Sequence, residues 1–207
     1  MTQRLRAIIL NRKASPDESL YLDTLLESGE FAGFRIPGIL KSAKRSSFHY
    51  APGGIYEMIF AASGGGPRFV PKSSELLFSP YSDSQDYKIL SAVAEIVRVA
   101  EFVKTAPENA ELFELMGAAL TGIAGATSLD RHLDKYYWDF LLFLGLAADA
   151  EPGAEYRAYD LTSGFLTARE LAERPHADFI LPYGWVTGER GDSAAARETI
   201  RRFLRNL

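Results

Sequence analysis

Apolar residues recur along this chain with two different periods, and the change between them falls near residue 80. Before that point the pattern is short apolar runs closed by turn residues. Leu5–Leu10 reads as a strand, and Ala14-Ser-Pro-Asp17 supplies the turn after it. Leu20–Leu26 follows, then Ser28-Gly29 marks a hairpin into Phe31–Ile36. Ala51-Pro-Gly-Gly54 precedes Ile55–Phe60, and Ser63-Gly-Gly-Gly-Pro67 precedes Arg68-Phe-Val70 and Glu75–Phe78. Five short strands broken by turn signals every ~10–15 residues suit a small closed or partly closed β-barrel. Phe31, Phe34, Tyr56, Phe60 and Phe69 are the rings expected in its core, and Gly33, Gly38, Gly53 and Gly54 are candidate bend points.

From Tyr87 onward the apolar spacing is helical. Ile89, Leu90, Val93, Ile96, Val97, Ala100 and Val103 form one stripe. Thr105-Ala-Pro107-Glu108 ends that helix and opens a second, with Pro at its first turn, carrying Leu112, Leu115, Met116, Ala119, Leu120 and Ile123. Ser128 is a candidate N-cap for a third helix through Tyr136, Tyr137, Phe140, Leu141 and Leu144. Residues 149–192 are rich in Gly and Pro and read as irregular. Asp192 then caps a final helix with Ile200, Phe203, Leu204 and Leu207 on its apolar face. The expected architecture is α+β and multi-domain: a β-barrel over 1–80, and an α-helical bundle over 81–207 that includes the irregular region 149–192.

Charge adds an asymmetry to this picture. The 207 residues carry 23 Lys and Arg against 27 Asp and Glu, a net charge of −4. Residues 1–80 hold 10 basic and 7 acidic residues, a balance of +3, whereas 81–207 hold 13 and 20, a balance of −7. A polyanion tracks local positive potential, so it would meet the N-terminal part. Cysteine is absent, which excludes disulfides, thiolate catalysis and Cys-ligated zinc. Only four apolar residues, Ala7–Leu10, follow the first six, too few for a signal peptide. The longest strongly apolar stretch, residues 140–148, is about half a membrane span. A cytoplasmic protein with no membrane partner is expected.

Catalytic chemistry finds little support. The three histidines, His49, His132 and His176, are scattered, and no HExxH, Gly-x-Ser-x-Gly or Walker loop occurs. Asp130/Asp134 and Glu111/Glu114 stand at helical spacing, which favours solvated faces over acid–base pairs. No enzymatic activity, cofactor or metal is expected. The basic segment Lys41-Ser-Ala-Lys44-Arg45 is more suggestive, since Ser46-Ser-Phe-His49-Tyr50 adds hydroxyls and rings to its cations. Such a set can neutralise phosphates and stack unpaired bases. Arg35, Arg4, Arg6, Arg12, Arg68 and Lys72 would extend the patch if they share its face, while taken alone the segment also reads as an ordinary solvated loop. The arginines of Arg197–Arg205 are expected on the exposed face of the last helix, where they complement its dipole.

Several stretches in order resemble the bacterial recombination mediator family RecO across nearly the whole chain. Arg6–Leu10 matches the opening strand, and Asp17–Leu26 a run of the form ESD…LLTLLT. Lys41–Arg45 falls where a KGAR-like basic segment is usual, and Ser74–Pro80 matches the barrel-closing strand. Phe140–Leu146 resembles an LLxLLGL helix end, and Ser163–Leu166 the stretch after it. The order of these stretches, rather than any one of them, carries the resemblance. It implies an N-terminal five-stranded OB-fold followed by a helical domain, with DNA-binding residues Lys41, Lys44, Arg45, Arg35, Arg68 and Lys72.

The resemblance further implies a non-enzymatic DNA-repair protein that binds single- and double-stranded DNA and anneals strands. With RecR, such a protein helps load RecA onto DNA covered by single-strand-binding protein. It would take that protein's acidic, apolar-ended C-terminal tail in its helical domain, for which Arg131 and Lys135 are the candidate contacts. Two departures stand out. The family's four-Cys zinc site has no counterpart in 155–187, so Tyr156, Tyr159, Phe165, Phe179, Tyr183 and Trp185 must hold that region by packing. Ser42 also replaces the usual Gly of the basic segment. The alternative reading is a protein–protein adaptor whose OB-fold no longer binds nucleic acid strongly.

Overall fold

Strand β1 (Thr2–Ala14) is twice as long as its apolar run and organises everything around it. In the computed structural model, which describes residues 2–37, 50–61, 71–81, 86–104, 109–148, 155–174, 177–189 and 191–207, its second half pairs with β2 (Leu20–Leu26). Its first half pairs with β4 (Ile55–Ala61). The β1–β2 register skips between Ile9 and Asn11, a bulge of the kind that bends a strand and lets it serve two directions of pairing. β3 (Phe31–Ile36) joins β2 and β5 (Pro71–Phe78) joins β4, giving the antiparallel order β3-β2-β1-β4-β5. The five expected strands are therefore present as an α+β sheet. No β3–β5 ladder closes it among the described residues, so the structure gives an open sheet where a barrel was expected.

One face of the sheet holds Ala7, Ile9, Leu22, Phe34, Tyr56, Met58 and Phe60 in a single apolar cluster. Phe34, Tyr56 and Phe60 are core rings as expected, whereas Phe31 is only half-buried and Phe69 lies outside the described residues. Ile8 and Leu25 pair across β1 and β2 and are fully buried, although they alternate with residues of that cluster. Alternate residues face opposite sides of a sheet, so this part is covered on both.

Helices α1 (Tyr87–Val99) and α2 (Ala110–Gly122) belong to the same compact unit as the sheet, Met1–Gly125. The pattern changes at residue 80, but the packing divides at 125. A Cβ on Gly53 would stand 2.5 Å from Val93 of α1 and 3.2 Å from Leu120 of α2, so the turn before β4 seats directly on both helices. The stripe of α1 buries Val93, Ile96 and Val97 as expected, but Leu90 at its start is exposed. Helix α2 is capped by Asn109, whose side chain accepts from Glu111 N, so it starts later than the expected Pro107 turn, which lies outside the described residues.

The second unit, Ala126–Leu207, is built on α3 (Leu129–Phe143) and α6 (Ser193–Leu204). Ser128 and Asp192 cap them as expected, accepting from Arg131 N and Ala195 N. Between these helices the structure corrects the irregular reading. β6 (Tyr156–Asp160), β7 (Gly164–Thr167) and β8 (Ile180–Pro182) form an antiparallel sheet ordered β7-β6-β8. Short helices α4 (Ala168–Ala172) and α5 (Tyr183–Val186) follow β7 and β8. The β6–β7 turn is tied by the buried Asp160 carboxylate, which accepts from Thr162 N and Oγ1, Ser163 Oγ and Arg174. Burial pushes its pKa up, but these donors outweigh burial and hold it below the usual value.

Aromatic packing fills the rest of this unit. Tyr156 stacks on Phe165 at 4.7 Å, Tyr159 meets Phe165 edge-on at 4.7 Å, and Phe179 meets Phe203 at 5.3 Å. No helix among the described residues is long and apolar enough to cross a membrane.

The tightest seat in the first unit is the β2–β3 turn. Gly29 there has φ +88°, and a Cβ on it would lie 2.2 Å from the backbone of Asn109 at the start of α2. Gly29→Ala is expected to cost about 2–4 kcal/mol of stability through strain and displacement of α2. Urea unfolding would show this as a lower midpoint with an unchanged slope. A loss within about 0.5 kcal/mol would mean that the turn does not seat on α2 in solution.

Candidate functional site

Two places in the chain offer cations to an anionic partner, and they differ in how those cations are already engaged. The first is the sheet. Lys41, Lys44, Arg45 and Arg68 lie outside the described residues, and Lys72 stands on β5 with its side chain outside them as well. Arg35 projects from β3 toward the β1–β2 turn, where its Nε donates to Ser19 Oγ at 3.2 Å and a terminal nitrogen to Asp17 at 2.5 Å. Arg4 pairs with Glu57 at 3.3 Å. Arg6 pairs with Glu27 at 2.7 Å and reaches Glu114 of α2 at 3.6 Å, lying over the Phe113 ring. Three sheet arginines thus each touch a carboxylate, and a phosphate would have to displace it.

Sequence reasoning missed these carboxylates. The signal was present in part, because antiparallel pairing puts Glu57 opposite Arg6 and diagonal to Arg4. Asp17 is bound most strongly. Its pKa is lowered to about 2, first by the backbone N–H of Ser19, against some desolvation, and then by Ser15, Arg35 and the Ser19 hydroxyl. A carboxyl depressed on folding contributes stability above its unfolded pKa and loses it as pH falls through the folded value. The Arg35–Asp17 pair therefore stays ionic from neutrality down to strongly acid solution.

The second place is a cleft of about 410 Å³ in the second unit. Helix α3 contributes Arg131, Asp134, Lys135, Trp138 and Asp139, and α5 with the turn after it contributes Trp185 and the segment to Glu189, with Ser193 at the start of α6. The cleft brings together both residues expected to contact a partner tail. Their i, i+4 spacing puts them on one face of α3. Lys135 is paired with Asp139 at 2.6 Å, while Arg131 has no carboxylate partner among the described residues. Trp138 and Trp185 meet edge-on at 6.3 Å and give the cleft an aromatic wall. The indole N–H of Trp185 is buried and has no acceptor among the described residues.

Asp130 is exposed, as expected of a solvated face, but Asp134 is mostly buried, a correction to that reading. They clamp Arg197 of α6, at 2.9 and 2.7 Å, and Ser193 Oγ donates to the other Asp134 oxygen at 2.5 Å. Arg197 is buried rather than exposed, a correction to the expected outward face of α6. Arg201 is mostly buried too, donating to Glu198 and to Tyr137 Oη, while Arg202 and Arg205 are exposed. Among the described residues no group of three or more His, Asp and Glu is placed to hold a metal ion. Among the described residues neither His132 with its flanking aspartates nor the exposed Glu111/Glu114 pair belongs to such a group.

No family model matches the chain, and no curated protein is detectably similar to it.

An NMR titration of side-chain carboxyls is expected to find Asp17 ionising near pH 2. Arg35→Met should leave most of that depression in place, because the Ser19 N–H is its largest cause. Ionisation at the ordinary ~3.9 in the unsubstituted protein would mean that this turn does not hold the carboxylate in solution.

Proposed function

We propose that the chain is a RecO-like, non-enzymatic DNA-repair mediator, with nucleic acid held on its first unit and an acidic partner tail in the cleft of its second. The observation that carries this reading is the strand order β3-β2-β1-β4-β5 around a long, bulged β1. An OB-fold is a five-stranded, partly open barrel of this kind, in which the edge strands approach one another to complete the wall. Here β3 and β5 are those edges, and they come within contact distance of each other. The connection from β3 to β4 carries Lys41, Lys44 and Arg45, cations able to neutralise phosphates beside such a barrel. Arg35, Arg68 and Lys72 would join them, Arg35 by exchanging Asp17 for a phosphate oxygen.

In the second unit, Arg131 and Lys135 flank an aromatic wall. This is the combination that an acidic, apolar-ended peptide such as the tail of single-strand-binding protein requires. The mediator role, annealing strands and with RecR passing coated DNA to RecA, follows from the resemblance to RecO and rests on these two sites acting together. A second reading, an adaptor whose OB-fold binds nucleic acid weakly, is favoured by one observation: Arg4, Arg6 and Arg35 are each already held by a carboxylate.

Fluorescence anisotropy with labelled single-stranded DNA separates the two. Salt-sensitive binding at micromolar or tighter affinity supports the mediator, and no binding at low salt supports the adaptor. Replacing Lys41, Lys44 and Arg45 with Ala should flatten the salt slope by roughly one unit per lost contact. Asp17→Asn should steepen it, because Arg35 is then released to phosphate. Unchanged slopes in both would take the basic segment and Arg35 out of the site.

Charge reversal at both Arg131 and Lys135 is expected to abolish capture of an acidic tail peptide while leaving DNA binding intact. Retained capture would remove α3 from the partner site.

A further inference from the structure

Taken as a list of side chains, the cleft of the second unit should repel an anion. Three carboxylates line it, Asp134, Asp139 and Glu189, against two cations, Arg131 and Lys135. Lys135 cancels Asp139 at 2.6 Å. Arg131 can offset only one of the two carboxylates that remain, the exposed Glu189 and Asp134, and Asp134 is the one that is mostly buried. Both of its oxygens are committed to donors on α6: Oδ1 to Arg197 at 2.7 Å and Oδ2 to Ser193 Oγ at 2.5 Å. Arg197 does not line the cleft. It lies behind it, with only 7% of its side chain exposed, and also holds Asp130 through the carboxylate at 2.9 Å and the backbone carbonyl at 3.3 Å.

We propose that Arg197 is the specificity-determining residue of this cleft: it neutralises Asp134 from behind and so leaves Arg131 as the cation that an anionic ligand meets. The inference rests on reading the cleft as the site of an acidic, apolar-ended peptide, and it adds the residue that removes the negative excess of the lining, leaving Arg131 against the exposed Glu189.

A strut between two helices does not need a charge here. A buried ion pair is often replaced by packed apolar groups of similar volume at little cost to stability. What an apolar replacement cannot do is cancel Asp134. Without Arg197 a carboxylate faces the cleft a few ångströms from the incoming acidic residues, in surroundings shielded enough for like charges to repel. With Arg197 present, Asp134 has little accepting capacity left for a basic peptide, so the cleft discriminates in both directions. Arg131 follows Asp130 in sequence on α3, which ties the position of the open cation to the residues that hold Arg197.

Both tryptophans of the chain, Trp138 and Trp185, line the cleft, so tryptophan emission, excited selectively over the tyrosines, reports on it. The probes are a synthetic peptide of several aspartates ending in phenylalanine and its counterpart with lysines in place of the aspartates. The full-length protein should bind the acidic peptide in preference to the basic one. Arg197→Met is expected to weaken the acidic peptide roughly three- to tenfold and to narrow that preference. Asp134→Asn alone should tighten the acidic peptide, and the Arg197→Met/Asp134→Asn double variant should return close to the starting affinity. A residue that merely holds α6 against α3 would not be rescued in this way.

If the acidic peptide binds the protein and a folded Arg197→Met variant alike, the proposal is overturned while the tail site stands. If neither peptide changes the fluorescence of the unsubstituted protein, the tail site falls and the proposal with it. If Arg197→Met does not fold, Asp134→Asn decides alone, and no gain for the acidic peptide overturns the proposal.

Discussion

A guanidinium taken out of water must find carboxylates, and in the second unit that requirement fixes much of the structure. Arg197 on α6 is buried against α3, whose Asp130 and Asp134 stand one turn apart and close on it together. The pairing sets the rotation of α6 about its own axis. Ile200, Phe203 and Leu204 then face inward, while Asp192 and Ser193 sit at the N-terminal end beside Asp134. The chain leading into that end comes from α5, which carries Trp185 against Trp138 of α3. The cleft is the space left where the turn after β8 passes from the small sheet to the start of α6. Its position follows from the clamp, and its aromatic wall from the packing that holds the region without a metal-binding cysteine set.

In the first unit the ion pairs have the opposite character. Arg4, Arg6 and Arg35 keep 68%, 48% and 39% of their side chains exposed, and their carboxylates are not deeply buried. Exposed pairs of this kind contribute little to stability, so exchanging a carboxylate for a phosphate is inexpensive. Pairing therefore does not abolish a nucleic-acid surface. It raises the threshold, since each cation must leave a partner before it can release a counterion from the polyanion. Asp17 sets the highest threshold because backbone and hydroxyl donors keep it ionised whether or not Arg35 is present.

Period and turn chemistry made most of the fold legible. The five strands of the first unit announced themselves by apolar runs between Gly- and Pro-rich turns, and Ser128 and Asp192 by their place before helical stripes. The sheet of β6, β7 and β8 did not, because strands of three to five residues are too short to show an alternation and their flanks are crowded with turn residues. Leu90 misled in the other direction: it fits the stripe of α1 but stands in the first turn, beyond the surface that covers Val93 and Ile96. The candidate site was legible only by element. Arg131 and Lys135 were found as scarce cations on a helix, with Asp134 and Trp138 at neighbouring positions of it, but Trp185 and Ser193 join them through contacts with residues some 47–59 positions away, for which no local pattern exists.

The same reasoning changes the meaning of the charge asymmetry along the chain. Residues 1–80 carry an excess of +3 and the remainder −7, and from those figures an anionic partner belongs only with the N-terminal part. Net charge governs long-range approach, but it treats every residue as available. At contact distance the relevant quantity is the charge left after internal pairing. In the sheet the arginines that supply part of the positive excess are already spoken for by Glu57, Glu27 and Asp17. In the acidic part, one carboxylate of the cleft is cancelled by Lys135 and another by the buried Arg197, which leaves Arg131 and the exposed Glu189 in a lining that also holds two indole rings. A locally acidic unit can therefore hold a site for an acidic peptide, with the surrounding negative charge restricting access to ligands whose apolar end supplies the rest of the binding energy.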